Sequence, residues 1–202
     1  MSYGAAWKLP YTGATLSTGL MQDRKGFTVI ELIMVVTIVA LLVLMVAPKI
    51  DVAGMRLNAA GQAVGATLLA VQRQAITQQH DIIVQFDATQ QLMRIHEDRN
   101  NDGLVDAGER VRGVSLGEHV MYGLGGASAR PMGPAPINFT KVVRGLPAVV
   151  FHRDGSASEA GGFYLTYATG THAKDTRAIE LERATGRALW FKYLPPNWKK
   201  VF

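Results

Sequence analysis

FTVIELIMVVTIVALLVLMVA, residues 27–47, carries one charge in 21 positions, Glu31, and two hydroxyls, Thr28 and Thr37. At the rise of an α-helix this run is about 31 Å long, the thickness of bilayer hydrocarbon, so it is long enough to span a membrane. Asp23, Arg24 and Lys25 stand just before it, a net positive flank that stays cytoplasmic and sends the rest of the chain outward. A cleaved secretory signal would have a shorter apolar core ending in a small-residue site. Here Ala47, Pro48, Lys49 and Ile50 lead straight into helix-compatible sequence.

The whole chain is 202 residues, 48% apolar and 18% charged, which suits one ordinary domain plus an extra element and argues against a long disordered chain. Twenty-one Lys and Arg against 16 Asp and Glu give +5, spread along the chain and too weak to name a nucleic-acid partner. The absence of Cys removes disulfides, Cys-ligated zinc, thiol catalysis and thioether haem together.

A carboxylate within a spanning helix costs about 2.5 kcal/mol or more and marks a partner or a task. Thr28 and Glu31 also have the Thr-x-x-Glu spacing of a helix capping box, which satisfies free amides at a helix start. Lys25-Gly26, then Phe27, then Glu31 four residues on, then Pro48 closing the run, form a pattern at fixed spacing. The stretch 24–48, RKGFTVIELIMVVTIVALLVLMVAP, closely resembles the leader and N-terminal helix of type IV pilins and type II secretion pseudopilins. The resemblance implies cleavage between Gly26 and Phe27 by a prepilin peptidase and N-methylation of Phe27. It also gives Glu31 an assembly role: a carboxylate four residues from a new cationic terminus can pair with the terminus of a neighbouring subunit and set the register between them. Residues 1–25 are long for such a leader. Translation from Met21 would leave the short basic leader MQDRKG.

Beyond Pro48, apolar positions from Ile50 to Ile76 suit an amphipathic helix reaching about Gln79, weakened by Gly54, Gly61 and Gly65. One long helix, membrane-embedded first and packed on a domain later, is the expected design. After His80 the pattern becomes alternating and β-branched over 82–86, 92–95, 111–116, 149–152, 163–167, 178–181 and 188–193, with connections short enough for antiparallel pairing. Residues 123–136 are rich in Gly and Pro without periodicity and read as a long loop. The expected class is therefore α+β, a long helix on an antiparallel sheet domain, and the resemblance of residues 24–48 implies that it is pilin-like. Its segments are a leader at 1–26, a transmembrane and assembly helix at 27–48, its amphipathic continuation at 49–79 and a periplasmic β-rich domain at 80–202. VVFHRDGSASEAGGFYL, 149–165, and RAIELERATGRALWF, 177–191, are similar to the Asp-Gly and Gly-Arg turns of the GspH/FimT branch. That resemblance implies a minor pseudopilin, or a FimT/FimU-like minor pilin, without catalysis or an obligatory cofactor. Its partners would be the prepilin peptidase, other pseudopilins or minor pilins, an inner-membrane assembly platform and membrane lipid.

Residues 98–109 fit the D-x-[DN]-x-[DN]-G-x5-E calcium loop at every defined position. Asp98, Asn100, Asp102 and Glu109 would ligate Ca2+ by side chain, Leu104 by its carbonyl, and Asp106 directly or through water. The flanks read as strands, so the alternative is an Asn/Asp/Gly hairpin loop that needs no metal. Gly113-Val-Ser115-Leu-Gly117 matches a nucleophile elbow, but no helix is expected after it, which argues against a hydrolase. His80, His96, His119, His152 and His172 show no ligand spacing. Arg183, Arg187 and Lys192, with Lys199 and Lys200, could contact DNA phosphates while Trp190, Tyr193 and Trp198 stack on bases. The alternative is a solvated edge with its aromatics turned inward.

Overall fold

The computed structural model describes residues 26–46, 51–168 and 172–201. The chain divides into two units, 1–50 and 51–202. In the first, α1 is Val29–Val46, with Glu31 in its first turn. Its large side chains are apolar on every side and all those described are more than half exposed, as in a helix whose burial must come from surroundings other than its own unit. The Thr37 hydroxyl donates to Ile33 O at 2.8 Å, which satisfies it within the helix. The 18 residues of α1 rise about 27 Å. Among the described residues no helix is long and apolar enough to cross a membrane. The end of the expected 27–48 span, 47 and 48, lies outside the described residues, as do residues 1–25 of the expected leader and with them the choice between Met1 and Met21.

The second unit begins with α2, Val52–Gln78, capped by the Asp51 side chain, which accepts from Gly54 N at 2.9 Å, and closed by left-handed Gln79. Two helices thus replace the single long helix expected. Asp51 has φ −82° and ψ 76°, outside the helical region. The sequence carries the cause: an Asp three residues before Gly54 is a strong N-cap. Leu57, Val64, Leu68, Val71 and Ala75 recur at helical spacing and are buried. A Cβ at Gly61 would sit 2.9 Å from the Trp190 indole, so the absent side chain is what lets that ring lie on α2.

Among the described residues eleven strands follow: β1 Asp81–Asp87, β2 Leu92–Asp98, β3 Val111–Ser115, β4 Val120–Tyr122, β5 Ile137–Asn138, β6 Val142–Val143, β7 Leu146–Phe151, β8 Gly161–Tyr167, β9 Thr176–Leu181, β10 Ala188–Leu194 and β11 Asn197–Lys200. They form two sheets, ordered β3-β2-β1-β7-β6 and β11-β10-β9-β8-β4, with β5 also on β8. Every pairing is antiparallel. The α+β class with antiparallel sheets is therefore observed. The four strands without a sequence signal, β4, β5, β6 and β11, have two to four residues, too few to show alternation.

One core joins the α2 stripe to both sheets through Ile82, Val84 and Phe86 of β1, Phe163 and Leu165 of β8, and Trp190 of β10. The opposite faces are covered too. Ile83, Ala148 and Val150 pack with Val105 and Val143, while Tyr164, Ala178 and Phe191 lie under Leu124, Met132 and Trp198. The 123–136 segment is thus a fixed lid: Arg130 N donates to the Tyr164 hydroxyl at 2.7 Å, and that hydroxyl donates to Gly133 O at 2.8 Å. The Arg130 guanidinium pairs with Glu180 and lies 3.5 Å from the Phe191 ring centroid.

Two buried polar groups tie elements together. Arg177 is fully buried; it donates to Asn58 Oδ1 at 2.9 Å, to Lys174 O at 3.0 Å and to Thr176 O at 2.9 Å, and it reaches Gly54 O at 3.5 Å. His96 Nε2 contacts Gln85 Oε1 at 2.6 Å, and Gln85 Nε2 donates to Val143 O at 2.6 Å. Burial holds the His96 imidazole below its ordinary pKa, with the Arg144 and Arg94 charges acting the same way and Glu109 opposing. A histidine kept neutral in the fold and free to protonate when unfolded adds stability that is fully present above its unfolded pKa near 6.5 and is lost as pH falls toward the folded value. The denaturant midpoint is therefore expected to fall between pH 7 and pH 5, and His96→Gln to flatten that slope; an unchanged slope in the variant would assign the dependence to other groups.

Candidate functional site

At the start of α1, Gly26 and Phe27 are exposed ahead of the helix, and Thr28 Oγ1 accepts from Glu31 N at 3.2 Å. Only half of the capping box forms. Among the described residues the Glu31 carboxylate takes part in no hydrogen bond or ion pair, so it stays available on the first turn of an otherwise apolar helix. This arrangement leaves the Gly26–Phe27 junction exposed, with a carboxylate in the first turn of the helix that follows.

The two short C-terminal motifs meet at one side chain. Gln72 Nε2 donates to Gly155 O at 2.9 Å and also to Thr185 O, so α2 holds the Asp-Gly turn and the Gly-Arg turn together. Ala157 N donates to Arg183 O at 2.8 Å, a second tie between them. Gly186 has φ +60°, and a Cβ there would collide with Gly155 O. The motif therefore marks a packing joint. Gln72 carried no sequence signal, because one polar residue on a mixed helix reads as solvated until its partners 83 and 113 positions away are known.

The 98–109 segment links β2 to β3 and uses its acidic groups on its own backbone. Asp98 accepts from Asp102 N at 3.2 Å and from Gly103 N at 2.7 Å. Glu109 accepts from Arg99 N at 3.2 Å and from Asp106 N at 3.0 Å. Leu104 N donates to Asp102 Oδ1 at 2.8 Å. The Asn100 amide nitrogen, a donor that cannot ligate a cation, lies between Asp102 at 2.8 Å and Asp106 at 3.1 Å. As arranged, the carboxylates are engaged with the loop's own amides, and among the described residues no group of three or more His, Cys, Asp or Glu is placed to hold a metal.

Arg183, Arg187 and Lys192 are not gathered. Arg183 and Arg187 are exposed around the β9–β10 turn, and Arg187 edges an apolar groove of about 340 Å³ between Gly61, Gly65 and Leu69 on one side and Ala188 and Trp190 on the other. Lys192 is five residues along β10, about 17 Å away in a strand. Trp190 and Tyr193 are buried, and Trp198 lies 5.0 Å from Tyr193 and 5.9 Å from Tyr164 between ring centroids. Trp190 and Tyr193 are turned inward, and Trp198 is half-buried beside them. Ser115 ends an edge strand of an antiparallel sheet and accepts from Gly117 N at 3.2 Å. His152 pairs with Asp81 at 2.7 Å, and His119 rests 5.7 Å from the Tyr167 ring.

Residues 21–47 match the family model described as the prokaryotic N-terminal methylation motif. The match spans the Gly26–Phe27 junction and α1 and covers that part of the chain alone. Two structures of the minor pseudopilin EpsH from the type II secretion system of Vibrio cholerae are similar to it. One is 15% identical with TM-score 0.42, covering 70% of this chain and 98% of that one. The other is 14% identical with TM-score 0.43, covering 71% and 99%. No curated protein matches the sequence.

If Gln72 is the tie between the two turns, Gln72→Ala lowers unfolding stability by about 1–2 kcal/mol in a denaturant titration, the worth of two hydrogen bonds. Gly186→Ala costs at least as much, through strain and the Gly155 contact. Titrating the chain with millimolar calcium in a calorimeter is expected to give no binding heat; heat that disappears in Asp102→Ala would restore the cation reading.

Proposed function

We propose that this chain is a minor pseudopilin of a type II secretion pseudopilus, a structural subunit that acts by assembly and catalyses no reaction. The observation that carries the reading is the N-terminal geometry: an exposed Gly26–Phe27 junction followed, in the first turn of α1, by an uncommitted Glu31 on an apolar helix. Prepilin peptidase would cut that junction and methylate Phe27. Before assembly, α1 and the residues that follow it anchor the chain in the inner membrane, N-terminus inside and the 51–202 unit in the periplasm. On assembly, the apolar surface of α1 passes from lipid to neighbouring subunits at the assembly platform, and Glu31 pairs with a neighbour's terminal amine. Pairing lowers the cost of keeping either charge in an apolar core, and it fixes axial register because only one stagger brings the two together.

Intact mass and N-terminal sequencing of the protein from membranes of a host with active prepilin peptidase test the reading. A chain beginning at N-methylated Phe27 is the expected result; an uncut chain overturns it. Glu31→Val is expected to leave cleavage intact and to reduce incorporation into filaments, measured in sheared fractions. Wild-type incorporation would count against the pairing.

A further inference from the structure

A basic corner lies beside the start of α2. Register sets Arg177 of β9 opposite Lys192 of β10, and Lys192 opposite Lys199 of β11. Residues directly opposite share a sheet face about 5 Å apart. Arg177 directs its guanidinium under the first turns of α2, to Gly54 O and Asn58, so Lys192 and Lys199 stand on the same face next to that helix start. Arg177 also binds the carbonyl of exposed Lys174, which brings a third lysine to the corner. None of the three lysines is in an ion pair among the described residues. The acids nearby, buried Asp175 and the cap Asp51, both face Arg177. Val52 and Met55 in the same first turn are exposed apolar side chains. Apolar side chains flanked by unpaired lysines are the chemistry of a surface that meets the headgroup layer.

The covalent chain supplies the occupant. Five residues separate Val46 from Val52, a reach of about 20 Å at full extension. Val52, the first residue of α2 and part of the corner, is therefore tethered within that reach of Val46. We propose that Lys174, Lys192 and Lys199, with Val52 and Met55, form a docking site for the headgroups of anionic phospholipids in the membrane that holds α1. The proposal rests on the membrane-anchored reading above. Docking orients the 51–202 unit on the bilayer before assembly, and its release accompanies extraction into a filament.

The test uses the full chain in nanodiscs of phosphatidylcholine, with and without phosphatidylglycerol, and reads lysine acylation by mass spectrometry. In the anionic discs Lys174, Lys192 and Lys199 are expected to react about fivefold more slowly than in the neutral discs, with the difference removed by high salt and Lys141 unaffected. Equal rates in a chain that co-elutes with both discs overturn the docking site and leave the membrane reading standing. A chain that does not co-elute with either disc overturns the membrane reading, and the docking site with it. Equal protection in neutral discs by an added duplex oligonucleotide overturns the assignment to lipid in favour of nucleic acid.

Discussion

A single stripe of α2, from Leu57 to Ala75, is buried against the inner faces of two antiparallel sheets at once. Neither sheet could keep its apolar face from water alone. The first is four main strands and a two-residue edge, and the second ends in short strands on both sides. Because the helix serves both, its side chains must be small where a sheet comes close and large where it recedes. Gly61 under Trp190 is the tightest such point. The position of the sheets, the turns between strands and the outer lids all follow from where α2 lies.

Polar groups then select one arrangement of these layers. Arg177 joins β9 to the first turns of α2, Gln72 joins its middle to the two C-terminal turns, and Gln85 with His96 joins β1 and β2 to the edge strand β6. Each ties a side chain to another element, and a shifted α2 would lose the bonds of Asn58 and Gln72 together. The same economy explains the 98–109 loop, where carboxylates suited to a cation by spacing bind the amides of their own tight turn.

The α1 helix and the folded unit differ in what they require. The 51–202 unit has its core inside itself, whereas α1 leaves its described large side chains exposed, so their burial must come from outside its own unit. In the proposed subunit that contrast is functional: the domain keeps its fold while the helix exchanges one apolar surrounding for another. Glu31 is the position where the exchange is not neutral, since a carboxylate gains from a cationic neighbour and from nothing in a lipid tail.

Much of this was legible in the sequence because it is local. The apolar run from Phe27, the Gly-Phe junction, Glu31 four positions on, and the seven longer strands are set by residue type and short-range period. Spacing alone could not tell whether the acidic loop keeps its oxygens for a cation or gives them to backbone amides, since that depends on where each carboxylate points. Nor could it show that Trp190 and Tyr193 lie inside, or that Arg183 and Arg187 sit far along the strand from Lys192. The break at Asp51, the joint at Gln72 and the row Arg177, Lys192 and Lys199 were decided by tertiary structure. Each depends on segments distant in sequence meeting face to face, and only the packing of α2 on both sheets brings them together.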